Sequence, residues 1–324
     1  MTGYLKLARL SAWPLFSLTF MLTFAVDAHP ETDWPYALVG FASLFLFAAF
    51  AFALNFYSDK DTDRYQDAEY TKDLDLRHQP LVTGEVTERG CVVFCTVTLI
   101  AAVALGFVVS ALFGLLVVLS CIISGILYSH PWIRLKAKPV GDILCIAPLG
   151  VLLPAAGYLL GAGRMPSSLM MLFWFLVAAT FYLATVVSDY QFDIRAGLHT
   201  SAVFFGPRGL LMGMVVSCLL SVVVSIFIFN SSHYFSGTRY FAVVAAGGLM
   251  LFTVVVWRSL RPLQRRVPVI SSRGRWAFIA PGIISLVFLT YGFIKIFTPE
   301  SLPWDLFSSA SGLLQFLVVA QGIS

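Results

Sequence analysis

Five side chains stand out by type and spacing. Asn55, Asp59 and Asp63 recur at i, i+4 and i+8 in "NFYSDKDTD", and Asp189 and Asp193 repeat the four-residue step in "DYQFD". On a helix, such steps place side chains on one stripe, so each group would present its oxygens along a single line. Carboxylates one turn apart repel each other unless something positive stands between them. A divalent ion does this well, and an all-oxygen donor set selects Mg2+ or Ca2+ over zinc. Mg2+ is usually held by one or two carboxylates together with substrate phosphates, so two facing clusters predict a phosphorylated ligand.

The elements that must position these residues are apolar. Of 324 residues, 59% are hydrophobic and 12% charged, and 29 are Phe. Mean hydropathy is +0.85, far from a soluble domain. Runs of roughly 17 to 20 apolar residues, each long enough as a helix to cross a hydrocarbon core, recur between polar breaks. They are Leu10–Val26, Pro35–Leu54, Cys91–Ser110, Leu112–Leu127, Ile143–Leu160, Leu169–Val187, Leu210–Phe229, Tyr240–Trp257 and Phe278–Ile296. The expected fold is all-α: one domain over residues 1–324, nine transmembrane helices around a central cavity, with a cytoplasmic cap. The Ser-rich tail Leu306–Ile323 reads as re-entrant or interfacial. The first apolar stretch has no convincing cleavage site and is expected to stay as a helix.

Lys and Arg are retained on the cytoplasmic side of short loops. A cytoplasmic N-terminus and nine crossings place all of the 21 Lys and Arg inside except Arg164, Arg239 and Lys295. Both acidic clusters then close an even-numbered helix and share the inner face, at the water boundary rather than at mid-depth. That depth suits an amphiphile with a polyanionic head and a hydrocarbon tail. The net charge of +4 reports topology and attraction to membrane lipids, not nucleic acid. The basic loop Arg258–Arg275 is a membrane anchor, and Asp61 and Asp67 fall off the stripe into solvent. Five cysteines in or beside apolar spans are packing residues. His78 and His130 lack metal-ligand spacing. A transporter would need charged groups at mid-membrane, and none is found there.

These motifs resemble those of the UbiA superfamily of intramembrane prenyltransferases. The superfamily's N-D-x-x-D-x-x-x-D signature is matched at Asn55, Asp59 and Asp63, with Phe56 replacing the first aspartate. Its Pro-Leu-x-x-Gly element is similar to Pro80, Leu81 and Gly84, and its second signature to Asp189, Asp193, Ala196, Gly197, Thr200 and Gly206. "YSHPWIRLKAKP" resembles the Tyr-Ser-x-Pro and Leu-Lys pattern of the branch holding chlorophyll synthase and archaeal lipid prenyltransferases. Trp132 stands where the quinone-pathway branch has a lysine.

The resemblance implies transfer of a polyprenyl group from its diphosphate to a lipophilic or aromatic acceptor, with Mg2+ bridging diphosphate and acids. Asn55, Asp59, Asp63, Asp189 and Asp193 are the implied metal ligands, and Asp59, Asp189, Asp193 and Tyr128 the implied catalytic residues. Arg134, Lys136 and Arg195 are implied for diphosphate oxygens, and Arg9 is a weaker candidate for the same mouth. No obligate protein partner is expected. A terpene cyclase on the same scaffold, acting without an acceptor, is the alternative.

Overall fold

The computed structural model describes residues 2–10, 20, 23–24, 34–70, 79–145, 148–195, 197–231 and 236–260. All regular structure among them is helical. The elements are α1 (Thr2–Leu7), α2 (Trp34–Tyr70), α3 (Glu88–Val109), α4 (Ala111–Ser120), α5 (Gly141–Leu144), α6 (Leu153–Ala162), α7 (Ser168–Arg195), α8 (Ser201–Asn230) and α9 (Ser236–Leu260). Four of them, α2, α3, α7 and α8, are long and apolar enough to cross a membrane, and shorter apolar helices run over Ala111–Leu127, Gly150–Ala162 and Ala242–Arg258. The span Phe278–Ile296 and the tail Leu306–Ile323 lie outside the described residues, as does Leu10–Val26 apart from a few positions.

Side-chain chemistry sets the helix ends. Thr87 caps α3 by accepting a bond from the Gly90 N–H at 3.1 Å. Ser110, in extended conformation, closes α3 with its own N–H on the Gly106 carbonyl and opens α4 by accepting from the Phe113 N–H. One residue thus joins two helices. Gly206 sits at φ 68°, ψ 167° and breaks α8 just before Pro207, a conformation that a side chain disfavours.

Two apolar cores hold the bundle. The first joins α2, α3 and α4 through Phe47, Ala102, Phe113 and Val117; the second joins α7, α8 and α9 through Phe173, Met214, Ile228 and Leu249. Helix α6 serves both, with Leu153 and Ala156 in the first and Tyr158 in the second. Each core is built on a long helix that ends in an acidic motif, α2 in one and α7 in the other. Buried hydroxyls donate within their own helices, Thr98 to Phe94, Ser120 to Leu116 and Thr180 to Leu176, so they need no water. Outward faces stay apolar, as with Val93, Val97 and Ile100 on α3 and Leu219, Val223 and Phe227 on α8. A water-facing surface would not tolerate these rows; a lipid-facing one requires them.

The fifth expected span departs from a simple helix. Gly141–Leu144 makes a single turn, and Pro148–Leu152 then winds in a wide π turn into α6. Pro148 and Pro154 lack N–H donors, so the ordinary i→i−4 ladder cannot run through them unbroken. A second π stretch, Cys121–Leu127, extends α4 and ends at Tyr128; such windings concentrate at functional sites. All five cysteines are buried free thiols, as packing residues would be.

Candidate functional site

Helix α2 continues without a break past Asn55 to Tyr70, so the stripe through Asn55 and Asp59 forms. Both side chains meet the loop that follows Tyr128. Lys136 Nζ donates to Asn55 Oδ1 and lies 2.5 Å from Asp59 Oδ2, and Arg134 Nη2 lies 3.0 Å from Asp59 Oδ1. Ser129 Oγ reaches Asn55 Oδ1 at 3.4 Å, and Ser58 Oγ donates to the Ser129 carbonyl. The Lys136 ammonium stands 5.7 Å from the centre of the Tyr128 ring. Each carboxylate oxygen of Asp59 therefore takes one cation.

The loop owes its shape to local backbone geometry. Arg134 adopts a left-handed conformation at φ 41°, after its N–H and that of Ile133 both bond to the His130 carbonyl. A 3-10 turn over Leu135–Ala137 follows, which aims Lys136 at α2. Trp132 is 91% exposed and edge-on to His130, so the residue in the quinone-branch lysine position turns away from Asp59.

Other segments fasten the end of α2. Gln79 is buried, donates from Nε2 to the Phe56 carbonyl at 2.6 Å, and accepts the Leu81 N–H on Oε1 at 2.9 Å. It thereby seats the Pro80–Gly84 turn on α2 beside Asn55. Gly84 closes that turn at φ +75°. Lys60 pairs with Glu88 at 2.7 Å, tying α2 to the start of α3, and Lys6 pairs with Glu85 at 2.5 Å, tying on α1. Phe56 presents its ring to the Arg9 guanidinium at 5.9 Å, and Phe52 does so at 5.6 Å. Arg9 thus sits over aromatic faces one turn from Asn55.

The second motif ends α7. Gly197, at φ +65°, lets the chain turn back so that the Leu198 N–H bonds to the Asp193 carbonyl at 2.8 Å. Thr200 Oγ1 donates to Asp193 Oδ2 at 2.6 Å and fixes that carboxylate. The next residue, Ser201, is completely buried and bonds to Asp142: its Oγ at 2.5 Å and its N–H at 3.2 Å. Val140 N–H in turn donates to Ser201 Oγ at 2.8 Å. The segment carrying Arg134 and Lys136 is therefore bonded at its far end to the segment carrying Asp193, and both motifs lie at one end of the bundle. The side chains of Asp63, Asp67, Asp189 and Arg195 lie outside what the structure describes, as do Ala196 and His78.

Sequence reasoning overlooked Gln79, Ser129, Asp142 and Ser201. A lone acid opening an apolar run, as Asp142 does, was the available signal. Burial pushes the Asp142 carboxyl up, while bonds from Ser201 and the Ile143 N–H pull it back. Gly141 packs against the Leu135 carbonyl oxygen, 2.6 Å from where a Cβ would stand. Gly141→Ala is expected to destabilise the protein by about 1–3 kcal/mol, the usual range for overpacking, measured as a lower midpoint of thermal unfolding in detergent.

Among the described residues, no three His, Cys, Asp or Glu side chains converge as a metal cluster. The fit of a cation is nevertheless legible at Asn55 and Asp59. Their oxygens already share one ammonium, and the donors are neutral amide and carboxylate oxygens suited to Mg2+. Arg134 Nε is buried and has no hydrogen-bond partner among the described residues.

The UbiA prenyltransferase family matches residues 15–280. A UbiA homologue from Archaeoglobus fulgidus bound to DMAPP and Mg2+ superposes with a TM-score of 0.80 at 31% identity, over 91% of this chain and 99% of that one. The same figures hold for the Archaeoglobus homologue bound to GPP and Mg2+. A structure of digeranylgeranylglyceryl phosphate synthase shares the fold, with a TM-score of 0.61 at 18% identity over 90% of this chain and 98% of that one. No curated protein matches by sequence. The length of the first match and the identity shared with the Archaeoglobus homologue lead to one conclusion: this integral membrane chain belongs to the UbiA prenyltransferase family.

Proposed function

We propose that this protein transfers a polyprenyl group from an allylic prenyl diphosphate to a lipophilic or aromatic acceptor within the membrane, in a Mg2+-dependent reaction. The observation that carries this is the joint placement of Asn55, Asp59, Arg134 and Lys136, tied through Val140 and Ser201 to the Asp193 segment. It is supported by the Archaeoglobus homologue, whose structures hold DMAPP or GPP with Mg2+.

Asn55, Asp59, Asp63, Asp189 and Asp193 would hold Mg2+, which when bound neutralises the charge that develops on a departing diphosphate. Arg134, Lys136 and Arg195 bind diphosphate oxygens, Arg through its planar fork and Lys as a point charge. The C1–O bond of the prenyl group breaks, and the diphosphate leaves with the electron pair. A nucleophilic atom of the acceptor then bonds to C1 and loses a proton. Tyr128, whose ring faces the Lys136 ammonium, offers its π face to positive charge developing at C1. The apolar surroundings exclude water that would otherwise trap the cation. Nine crossings, a single domain, and a cytoplasmic N-terminus and active-site end complete the reading.

Purified protein in detergent should release diphosphate from farnesyl or geranylgeranyl diphosphate with Mg2+ only when a membrane lipid extract supplies an acceptor, and mass spectrometry should find the prenylated product. A cyclic hydrocarbon or alcohol formed without any acceptor would replace transfer with cyclisation.

A further inference from the structure

We infer that Asp142 is a positioning residue that sets the separation of the two acidic motifs, an inference resting on the prenyl diphosphate chemistry proposed above. Asp142 is 1% exposed, yet its carboxylate accepts from Ser201 Oγ, Ser201 N–H and Ile143 N–H at 2.5, 3.2 and 2.8 Å. A buried carboxylate is costly unless hydrogen-bonded, and these donors satisfy both oxygens. The Ser201 hydroxyl donates to Asp142 and accepts from Val140 N–H, so both its functions are engaged.

What Asp142 joins gives it its consequence. On one side is the head of α8, where Thr200 grips Asp193 through a 2.6 Å bond. On the other is the loop that presents Lys136 and Arg134 to Asp59. Little slack separates them. Lys138 N–H bonds to the Leu135 carbonyl at 3.0 Å, and Gly141 N–H to the Lys138 carbonyl at 3.1 Å. Val140 is held in a left-handed conformation at φ 66°, a strained choice for a β-branched residue. A metal–diphosphate unit gripped from two sides needs that separation fixed closely, because small displacements of such a constellation cost large factors in rate.

Asp142→Asn keeps the shape but turns an N–H2 donor toward the backbone N–H of either Ser201 or Ile143, neither of which can accept. The folded variant should need about 10–100-fold more Mg2+ and inorganic diphosphate to reach half of its thermal-shift response, the range seen when partners behind metal ligands are changed. Its KM for prenyl diphosphate should rise by a similar factor. Ser43→Ala is the control, because Ser43 bonds to the Ala102 carbonyl between α2 and α3 within the first core. It should lower the unfolding midpoint without moving the titration. Ser201→Ala should reproduce the Asp142→Asn shift, and Asp142→Ala with Ser201→Ala should cost no more than either change alone.

If the unaltered protein shows no response to Mg2+ and diphosphate together, the proposed reaction falls and this inference falls with it. A normal response in the unaltered protein, with Asp142→Asn titrating where Ser43→Ala does, overturns the positioning role alone. Should Asp142→Asn fail to fold, Ser201→Ala decides in the same way: a shifted midpoint supports the role and an unshifted one overturns it.

Discussion

Asp59→Ala is expected to lower the turnover of prenyl diphosphate about a thousandfold or more, the scale at which losing one electrostatic anchor of a transition state registers. That corresponds to about 4 kcal/mol of barrier. The same change should alter binding in two opposite directions. Asp59 is the shared anion of Arg134 and Lys136; once it is removed, its carboxylate no longer competes with a diphosphate for either cation. Inorganic diphosphate alone should therefore bind more tightly to Asp59→Ala than to the unaltered protein, while the additional gain on adding Mg2+ disappears. Isothermal titration of each ligand, alone and combined, reads both effects. Retention of the Mg2+-dependent gain would remove Asp59 from the set of metal ligands.

Lys136→Ala has the second-largest expected effect, and its sign differs between ligands. The ammonium occupies the point where the oxygens of Asn55 and Asp59 converge, so a metal ion must compete with it. Removing it should strengthen Mg2+ binding in the absence of diphosphate. Affinity for prenyl diphosphate should fall, and kcat/KM should drop about a hundredfold, because one fixed positive charge is lost where negative charge develops. Lys136→Arg should not restore activity, since a planar fork cannot reproduce a point charge shared between two oxygens one turn apart. Unchanged Mg2+ affinity in Lys136→Ala would show that the ammonium does not sit at the metal position.

Much of this was readable along the chain. Apolar runs identify the membrane helices because lipid leaves the backbone no partner but itself, so a spanning segment must be helical and greasy throughout. The four-residue spacing of Asn55 and Asp59 identifies a stripe because α2 runs straight through them, and the need for a neighbouring positive charge follows from like-charge repulsion. Pro148 and Pro154 were also in plain view, yet their effect on the fifth span was missed, because hydropathy counts residues and ignores missing N–H donors.

Tertiary structure alone decided which charge meets which. Lys136 stands 77 positions from Asp59, Ser201 stands 59 from Asp142, and Gln79 stands 23 from the Phe56 carbonyl it holds. Each of these pairs joins segments from different helices or loops. Periodicity encodes which face of a helix is apolar, but not the rotation and depth at which that helix docks on its neighbour. Those follow from side chains such as Phe47, Phe113 and Phe173 interlocking in the two cores. Local sequence thus chose the helices and the chemistry they carry, whereas packing chose the partners, because polar bonds reach only about 3 Å and form only where the whole bundle brings their ends together.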